Sequence, residues 1–382
     1  MKKLLSLFLA LWLGVCFCVS SAALPSSGQA SPPAVSAQSA ILINPSDGAV
    51  YYEKEADLPL GMASTTKLMT ALVVAEHCAP DETVIIPPEA VGIEGSSIYL
   101  VEGERLTVEE LLYALLLSSA NDAATALAIW VSGSVEAFCE RMNEQAARMG
   151  LKQTHFTNPH GLYDDAHYTT ARELAIIATH VLAVPFLREI VSTTRHTIPH
   201  DGVPDRRLLL NHNKLLRSYE GAIGMKTGFT KKTGRTLVSA AERDGLTLIA
   251  VTLNAPDDWR DHTALLDYGF ANYETIIVPV GAFSCFLPVT GGTQDHVTLI
   301  NAEPLCLTVQ KEHSDPCYTV TGTGRFLFAP VSAHAPWGSV ALSCEGRTVT
   351  APLITNQGVA SRTPKKQSPW DRLLHFFQLE PT

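Results

Sequence analysis

A serine and a lysine three residues apart are the residues in this chain whose types and spacing could do chemistry. Ser64 and Lys67 lead into an apolar run typical of a helix, and positions i and i+3 of a helix share a face. A serine hydroxyl is a weak nucleophile at neutral pH, but an adjacent amine with a lowered pKa can remove its proton. Lys67 is the only lysine with a serine three positions before it. Because such a pair is common by chance, it needs companions.

Two further polar segments supply those companions. Ser119 and Asn121 interrupt two apolar helical runs, and Asn121 is the only asparagine with a serine two positions before it. Lys226-Thr227-Gly228 ends an apolar, strand-like run, whereas the second copy, Lys232-Thr233-Gly234, lies in a polar, turn-like stretch. We therefore place the first copy in the site. Asn121 or Asp122 as a simple cap of the second helix is the alternative interpretation.

The first two segments provide the reacting groups for acyl transfer. Ser64 is expected to attack a carbonyl with Lys67 as the general base. Ser119 can relay the proton to the leaving amine. Asn121 can orient Lys67 or a substrate amide. These residues predict a serine hydrolase that needs neither a metal nor a cofactor.

The third segment provides groups that bind a substrate. Lys226 and Thr227 offer a cation and a hydroxyl to a carboxylate, and Gly228 lets a substrate backbone lie along the strand. The backbone N–H groups of Ser64 and Phe229 are expected to form an oxyanion hole. The predicted substrate is therefore a peptide with a free carboxylate near the reacting bond.

Composition is typical of a globular protein of about two domains. The 382 residues are 46% hydrophobic and 17% charged, enough for one large core or two smaller ones. The formal net charge is −10, and we find no clustered basic face outside the C-terminal tail. Nucleic acid is therefore not expected as a partner.

The N-terminus is predicted to direct export. Residues 1–23 carry Lys2-Lys3, an apolar run and then small residues, typical of a secretory signal cleaved after Ala23. An uncleaved anchor is the alternative. Residues 24–38, rich in Pro, Ser, Ala and Gly, are expected to be a flexible linker.

Residues 39–275 are predicted to form one α+β domain that positions the polar segments. A β-hairpin signature around 44–48 comes first, followed by strand-like pieces that include 97–100, a buried helix after a capped start near Leu106, and more helices. Three successive strands and a closing helix complete it. Helices inserted between an early hairpin and later strands of an antiparallel sheet give this fold class.

The remainder is predicted to be a small β domain at 276–356, then a linker and a short amphipathic tail at 357–382. In the tail Trp370, Leu373, Leu374 and Phe377 fall at i, i+3, i+4 and i+7, downstream of two lysines. This spacing is that of a helix lying in a membrane surface. Packing against the protein is the alternative.

Six cysteines remain after the predicted signal, and none falls in a close C-x-x-C pair, so a zinc site is not expected. Four of the six come after residue 280. Disulfides and buried free thiols fit them equally well. The six are Cys78, Cys139, Cys285, Cys306, Cys317 and Cys344.

The three motifs in this order resemble those of the penicillin-recognising serine enzymes. More narrowly, the chain resembles the low-molecular-mass D-alanyl-D-alanine carboxypeptidases of the penicillin-binding protein 5 type, peptidase family S11. The phrases that carry this resemblance lie at 63–70, 119–124, 157–162 and 224–230. The resemblance covers the signal, the α+β domain, the β domain and the tail.

The resemblance implies a β-lactamase/transpeptidase-like catalytic domain followed by a small all-β domain. It implies removal of the terminal D-alanine from peptidoglycan stem pentapeptides through an acyl-enzyme, inhibition by β-lactam antibiotics, and action at the cell wall or the outer face of the cytoplasmic membrane. Arg260 resembles an arginine that the family keeps near the substrate carboxylate.

The sequence argues against three other functions. A class A β-lactamase adds a glutamate for deacylation, but no Glu-x-x-x-Asn turn occurs between Asn121 and Lys226. A zinc carboxypeptidase could use His160 with Asp164 or Asp165, but the sequence holds no Glu-x-His or His-Glu-x-x-His partner. A catalytically inactive wall-binding protein would not need all three motifs.

Overall fold

The structure is a computed structural model that describes residues 30–200, 206–312 and 314–363. The predicted signal and the amphipathic residues of the tail lie outside the described residues. The strands are β1 (Ser39–Ile43), β2 (Val50–Lys54), β3 (Thr83–Ile85), β4 (Arg105–Thr107), β5 (Arg195–Ile198), β6 (Arg207–Leu210), β7 (Ala222–Thr230), β8 (Gly234–Arg243), β9 (Leu246–Leu253), β10 (Tyr273–Val278), β11 (Ser284–Thr290), β12 (His296–Asn301), β13 (Leu305–Gln310), β14 (Cys317–Gly322), β15 (Leu327–Phe328), β16 (Pro336–Cys344) and β17 (Arg347–Thr355). The helices are α1 (Lys67–His77), α2 (Val108–Leu117), α3 (Asn121–Ser132), α4 (Val135–Arg148), α5 (Ala171–Ala183), α6 (Pro185–Ser192), α7 (Leu215–Ser218) and α8 (Asp258–Asn272).

A five-stranded antiparallel sheet organises the first domain. Its strand order is β2-β1-β9-β8-β7, so the early hairpin pairs with the last strand of the later three. Strand β7, which carries Lys226-Thr227-Gly228, is therefore an edge strand. The predicted α+β class is confirmed, because helices α1 to α7 are inserted between β2 and β7 in the chain and α8 follows β9.

Both faces of this sheet are covered. Alternate residues of a strand point to opposite faces, and in β1 Ile41 packs in the core formed with the helical insertion, whereas Leu42 packs in a second core that includes Leu265 of α8. All five residues of β1 are buried for this reason. The sheet is thus packed against a hydrophobic core on each face, and its edge strand β7 can form one rigid side of a site.

Helix α2 begins and ends much as its sequence predicts. The Thr107 hydroxyl accepts a hydrogen bond from the Glu110 N–H at 3.2 Å, and the Glu110 carboxylate accepts one from the Thr107 N–H at 2.8 Å. This capping box satisfies N–H groups that would otherwise lack partners. Eight of the ten residues of α2 are buried, so the helix forms the centre of the insertion and holds Ser119 just beyond its end.

The strand predicted at 97–100 is wrong. This segment is a loop whose backbone N–H groups of Ile98 and Leu100 donate to the Asp122 carboxylate at 3.2 and 3.0 Å. The Ser97 hydroxyl donates to the same carboxylate at 2.6 Å. A buried carboxylate needs such donors, and it draws these N–H groups away from strand pairing.

The end of the predicted flexible linker is packed in the structure. Val35 and Ala37 are buried, and the Ser36 and Ala37 N–H groups donate to the Asp261 carboxylate at 2.8 and 2.9 Å. The Lys54 ammonium donates to the Val35 and Ala37 carbonyls. These polar partners, which composition does not reveal, fix the segment against the first domain.

The second domain is built from strands alone. A six-stranded sheet has the order β14-β16-β17-β12-β11-β15, and β10 pairs with β13. Strand β10 crosses the domain boundary expected at 275 and 276, so the two domains are joined by continuous secondary structure. Tyr51 stacks on Tyr273 with ring centroids 3.7 Å apart, and the Asn44 amide donates to the Thr308 hydroxyl at 3.0 Å.

All six cysteines in the described residues are free thiols, but only Cys139 and Cys344 are buried, so the alternative of buried free thiols holds for those two. None of the described helices is by itself long and apolar enough to cross a bilayer; α5 and α6 meet that criterion only as a joined pair bent by 105°.

Candidate active site

Ser64 lies in a tight turn that precedes α1. Residues Ala63–Thr66 form a single 3-10 turn, and Ala63 has a positive φ of 48°. The Thr65 hydroxyl donates to the Met62 carbonyl at 2.6 Å and the Thr66 hydroxyl donates to the Ala63 carbonyl at 2.7 Å. The turn is thus fixed by its own side chains and presents Ser64 at the start of the helix.

Lys67 connects the serine to two other segments. Its Nζ lies 3.1 Å from Ser64 Oγ, 2.7 Å from Asn121 Oδ1 and 2.6 Å from the His160 carbonyl oxygen. An ammonium group donates to all three acceptors. A neutral amine has two N–H groups and one lone pair, so when it donates to Asn121 and His160 its lone pair faces Ser64 Oγ. The geometry is that of a base aimed at a hydroxyl.

Electrostatics favour the neutral amine. Lys67 is fully buried, and burial, reinforced by the nearby Lys226 cation, lowers the pKa of Lys67 well below its ordinary value, whereas Asp122 opposes the shift. A lowered pKa increases the fraction of neutral amine near neutral pH. Lys67 is therefore suited to accept a proton.

The break between α2 and α3 supplies the second segment. Ser119 has a positive φ of 59° and is almost fully buried at the wall of the cleft. Asn121 accepts from Lys67, and its amide donates to the Glu94 carbonyl at 2.6 Å. The Asn121 side chain is not a helix cap, because its oxygen accepts from Lys67 and its amide donates to the Glu94 carbonyl; it fixes Lys67 instead. The Asp122 carboxylate does accept an N–H of the first turn of α3, that of Ala123, at 2.9 Å.

Strand β7 supplies the third segment. A Cβ at Gly228 would lie 2.3 Å from Thr236 Oγ1 and 2.9 Å from the Ser64 nitrogen, so only glycine allows the strand to approach the serine turn this closely. A Cβ at Gly161 would clash with the Ala63 carbonyl oxygen and lie 2.9 Å from the Ser64 nitrogen. Two glycines thus hold the turn between the strand and the loop that carries His160.

Lys226 is a buried residue of β7. It is 1% exposed, and its Nζ donates to the Thr227 carbonyl at 3.0 Å. Burial lowers the pKa of Lys226 to about 7. Lys226 is not among the residues that line the cleft, whereas Thr227 is. The second copy of the motif is excluded from the site, because Lys232 is exposed over the Tyr163 ring at 4.3 Å.

These elements enclose a cleft of about 330 Å³. The cleft brings together five of the predicted site residues (Ser64, Ser119, Thr227, Gly228 and Phe229), with Lys67 and Asn121 bonded directly behind Ser64. Arg260 is exposed on α8 and is not among the lining residues. Six lining residues were not predicted: Ser96, His212, Lys214, Arg235, Asp258 and Trp259.

Two groups of the site could not be recognised from side-chain patterns in the sequence. His160 lies in the phrase at 157–162 that carries the family resemblance, but its contribution is a backbone carbonyl, which no side-chain pattern reveals. Arg235 lies nine residues after Lys226, and only the pairing of β7 with β8 places it at the cleft.

The zinc alternative finds no support in the described part of the chain. No group of three or more His, Cys, Asp or Glu side chains there could hold a metal ion. Burial, with a contribution from Lys67, lowers the pKa of His160 to about 3, and the His160 ring Nδ1 accepts from the Leu162 N–H at 3.2 Å. His160 is a loop residue of the serine site.

Sequence comparison with known proteins supports this interpretation of the site. Residues 26–257 match the family Peptidase S11, described as D-alanyl-D-alanine carboxypeptidase. The chain is 32% identical over 378 residues to D-alanyl-D-alanine carboxypeptidase DacF of Bacillus subtilis (strain 168), which covers 96% of each chain. It is 31% identical over 348 residues to DacC of Escherichia coli (strain K12), covering 86% of this chain and 85% of the relative.

Comparison with a solved structure shows that the fold is similar as well. Penicillin binding protein 5 from Haemophilus influenzae matches with a TM-score of 0.65 and 29% identity, over 87% of this chain and 100% of that chain. The transpeptidase-like fold and the resemblance inferred from the motifs are confirmed. The chain belongs to the D-alanyl-D-alanine carboxypeptidases of peptidase family S11 and is a serine-type carboxypeptidase.

Proposed function

We propose that the chain removes the terminal D-alanine from peptidoglycan stem pentapeptides through an acyl-enzyme on Ser64, and that β-lactams inhibit it by acylating the same hydroxyl. The observation that carries this proposal is the position of Lys67 Nζ. It lies 3.1 Å from Ser64 Oγ, and its hydrogen bonds to Asn121 Oδ1 and to the His160 carbonyl oxygen hold it there. A strained lactam amide is attacked by the same nucleophile as a peptide amide.

In acylation the neutral Lys67 amine takes the Ser64 proton as Oγ attacks the carbonyl between the two terminal alanines. The backbone N–H groups of Ser64 and Phe229 stabilise the negative oxygen of the tetrahedral intermediate. The proton then passes from Lys67 by way of Ser119 to the departing nitrogen. D-alanine leaves with its amine restored, and Ser64 carries the acyl group as an ester.

In deacylation a water attacks that ester. Among the described residues that line the cleft, Asp258 is the one carboxylate, and it is paired with Arg235 at 2.9 Å. A separate glutamate base, as in a class A β-lactamase, therefore has no counterpart there. Lys67, neutral again, takes the proton from water and returns it to Ser64 Oγ as the ester breaks.

Labelling with a fluorescent penicillin tests the nucleophile. The wild-type protein and Ser64→Ala are compared with Ser96→Ala, a matched control because Ser96 lines the same cleft but has no contact with Lys67 among the described hydrogen bonds. We expect label on the wild type and Ser96→Ala and none on Ser64→Ala. Equal labelling of all three would remove Ser64 from the mechanism.

Mass spectrometry of purified muropeptides tests the reaction itself. Incubation with the wild-type protein should shorten pentapeptide stems by one alanine, and Ser64→Ala should leave them unchanged. Stems that keep their length with the wild type would favour a wall-binding role over hydrolysis.

We infer further that the protein acts outside the cytoplasm and contacts the membrane surface through its tail. The signal-like residues 1–23 and the amphipathic spacing in the tail support this. Phe328 is 70% exposed and pairs with Thr290, next to Gly291, whose carbonyl accepts the Arg362 N–H at 2.8 Å near the end of the described chain. An exposed aromatic ring beside the start of the tail suits a bilayer interface.

Sedimentation with phosphatidylglycerol vesicles tests the membrane contact. The wild-type chain should pellet with the vesicles, and Leu373→Glu, which places a charge on the apolar side of the tail, should remain in solution. If the wild-type chain stays in solution as completely as Leu373→Glu does, the inference is contradicted.

A further inference from the structure

His167 is a buried imidazole beside the serine turn that takes no direct part in acyl transfer. It lies between the loop at 157–162 and helix α5 and is 4% exposed. Both of its ring nitrogens have partners, Thr157 on one side and Thr66 on the other. Thr66 directly precedes Lys67, and Thr157 begins the loop. The imidazole therefore joins the two segments between which the catalytic amine is held.

The hydrogen bonds determine which ring nitrogen carries the proton. The Thr157 N–H donates to His167 Nδ1 at 3.0 Å, so Nδ1 presents a lone pair. Burial lowers the pKa of His167 to about 4, against the opposing charge of Asp164, and the ring is therefore neutral at neutral pH. A neutral imidazole has a single N–H, which must then be at Nε2. This N–H donates to the Thr66 hydroxyl oxygen, 2.7 Å away.

The Thr66 hydroxyl connects the imidazole to the peptide group of the nucleophile. Its own proton is donated to the Ala63 carbonyl oxygen at 2.7 Å. That carbonyl and the Ser64 N–H belong to one peptide group, and in a planar trans peptide the two point in opposite directions. A fixed carbonyl therefore fixes the direction of the N–H. Within the described residues no group accepts the Ser64 N–H, so it is available to an oxygen of the substrate.

These groups form a chain in which every hydrogen bond runs in the same direction. It starts at the Thr157 N–H and ends at the Ala63 carbonyl, and each group between them accepts one bond and donates the next. Hydrogen bonds in such a chain polarise one another, most strongly in a medium of low dielectric constant. Ala63 is 2% and Thr66 1% exposed, so the chain is shielded from water. A polarised Ala63 carbonyl makes the N–H of the same peptide group a stronger donor, because the two share one delocalised system.

We propose that His167 is a positioning residue for the oxyanion hole: through Thr66 it holds the peptide group between Ala63 and Ser64 so that the Ser64 N–H faces the reacting carbonyl. His167 touches neither the substrate nor the reacting atoms. Loss of its N–H should weaken stabilisation of the negative oxygen in the tetrahedral intermediate. The inference rests on the proposed acyl-enzyme function and names a residue that controls its oxyanion hole.

Infrared difference spectroscopy of the penicilloyl-enzyme tests the inference. The probe is benzylpenicillin isotopically labelled at the lactam carbonyl carbon, which becomes the ester carbonyl on Ser64, so that subtraction of the unlabelled spectrum isolates one stretching band. A hydrogen bond from the Ser64 N–H lowers the frequency of this band. His167→Met and His167→Gln have similar size and reach, but only glutamine has an N–H to donate at about the position of Nε2.

We expect the band to move to higher frequency in His167→Met and acylation to slow by about 10- to 100-fold, less than the loss of a whole oxyanion donor. His167→Gln should restore most of both. A change of rate alone could come from general disturbance of the fold, whereas the band reports the hydrogen bond itself.

Thr66→Val interrupts the chain at its next step without changing the ring. It should shift the band as His167→Met does, and the double variant should add little, because the two residues act in series. Thr70→Val is the matched control. Thr70 lies one turn further along, is also buried, and donates to the Pro159 carbonyl at 2.6 Å. Its replacement removes a buried hydroxyl without touching the Ser64 peptide group and should leave the band at its wild-type frequency.

A band that does not move in Thr66→Val, whether or not His167→Met folds, would overturn the assignment. So would an equal shift in Thr70→Val, or shifts that simply add in the double variant. Failure of the proposed function has a different signature, since the wild type would then form no ester band and take no penicillin label. If the wild type forms the ester and the variants leave its band unmoved, the function stands and only the role of His167 is wrong.

Discussion

Replacing Asn121 by aspartate should move the pH dependence of acylation to higher pH. Asn121 Oδ1 lies 2.7 Å from Lys67 Nζ, so Asn121→Asp puts a negative charge against the amine with almost no change in shape. An opposite charge favours the ammonium form and raises the pKa of Lys67. Only the neutral amine can take the Ser64 proton, and its fraction rises as pH rises through that pKa. Below the pKa, the rate therefore falls.

The size of the effect follows from the distance. At an effective dielectric constant of about 20, unit charges 2.7 Å apart attract by about 6 kcal/mol, an upper limit. The new carboxylate also loses hydration and faces the Glu94 carbonyl, which now accepts from the Asn121 amide at 2.6 Å. We expect a rise of about one to three pKa units. Acylation at a pH below both pKa values should then slow by about 10- to 1000-fold.

The assay is the second-order rate constant of fluorescent-penicillin acylation, measured from about pH 5 to about pH 10, a range that spans the lysine titration. Asn121→Ala is the control, since it removes the acceptor without adding charge. It should lower the rate at all pH values by misplacing Lys67. If Asn121→Asp shows the wild-type pH midpoint with only a lower plateau, Lys67 is not the base and the reasoning is refuted.

Two further perturbations test the packing. Gly228→Ala places a Cβ 2.9 Å from the Ser64 nitrogen and should cost about 100-fold or more in acylation rate by displacing the serine turn; a near-wild-type rate would mean that the turn can shift freely. Arg207→Met removes the cation paired with the fully buried Glu104 side chain and should lower the free energy of unfolding in urea by about 3–5 kcal/mol. Arg188→Met, at an exposed pair, should cost no more than about 1 kcal/mol, and equal losses in the two variants would contradict this ranking.

Local pattern was sufficient for the elements of the first domain. Helix α2 carries its own start signal at Thr107, and the three strands that follow Lys214 alternate or run apolar as buried strands do. The motifs also identified Ser64 and Lys67, because two residues three apart meet whatever the rest of the chain does. Such features depend on neighbours in sequence, and the structure agrees with them.

The remainder depended on contacts between distant residues. Asn121 reads as a helix cap until Lys67, 54 positions earlier, is placed beside it. The segment at 97–100 reads as a strand until the Asp122 carboxylate takes its N–H groups. Arg235 lies nine residues after Lys226 in the sequence, and only the register of β7 against β8 places it opposite Phe229 at the cleft. Tertiary partners that compete with local preference cannot be seen in a single sequence.

Because β7 is the outermost strand of its sheet, a peptide substrate can pair with it, and this affects which peptides the enzyme accepts. A peptide that pairs with an outer strand is held through its main-chain amides, which all residues share. It is selected by sequence only where its side chains enter pockets. Recognition concentrated at the terminal carboxylate leaves the residues upstream loosely specified. The enzyme should therefore tolerate chemical variety in the third position of its peptides while staying strict about their final one.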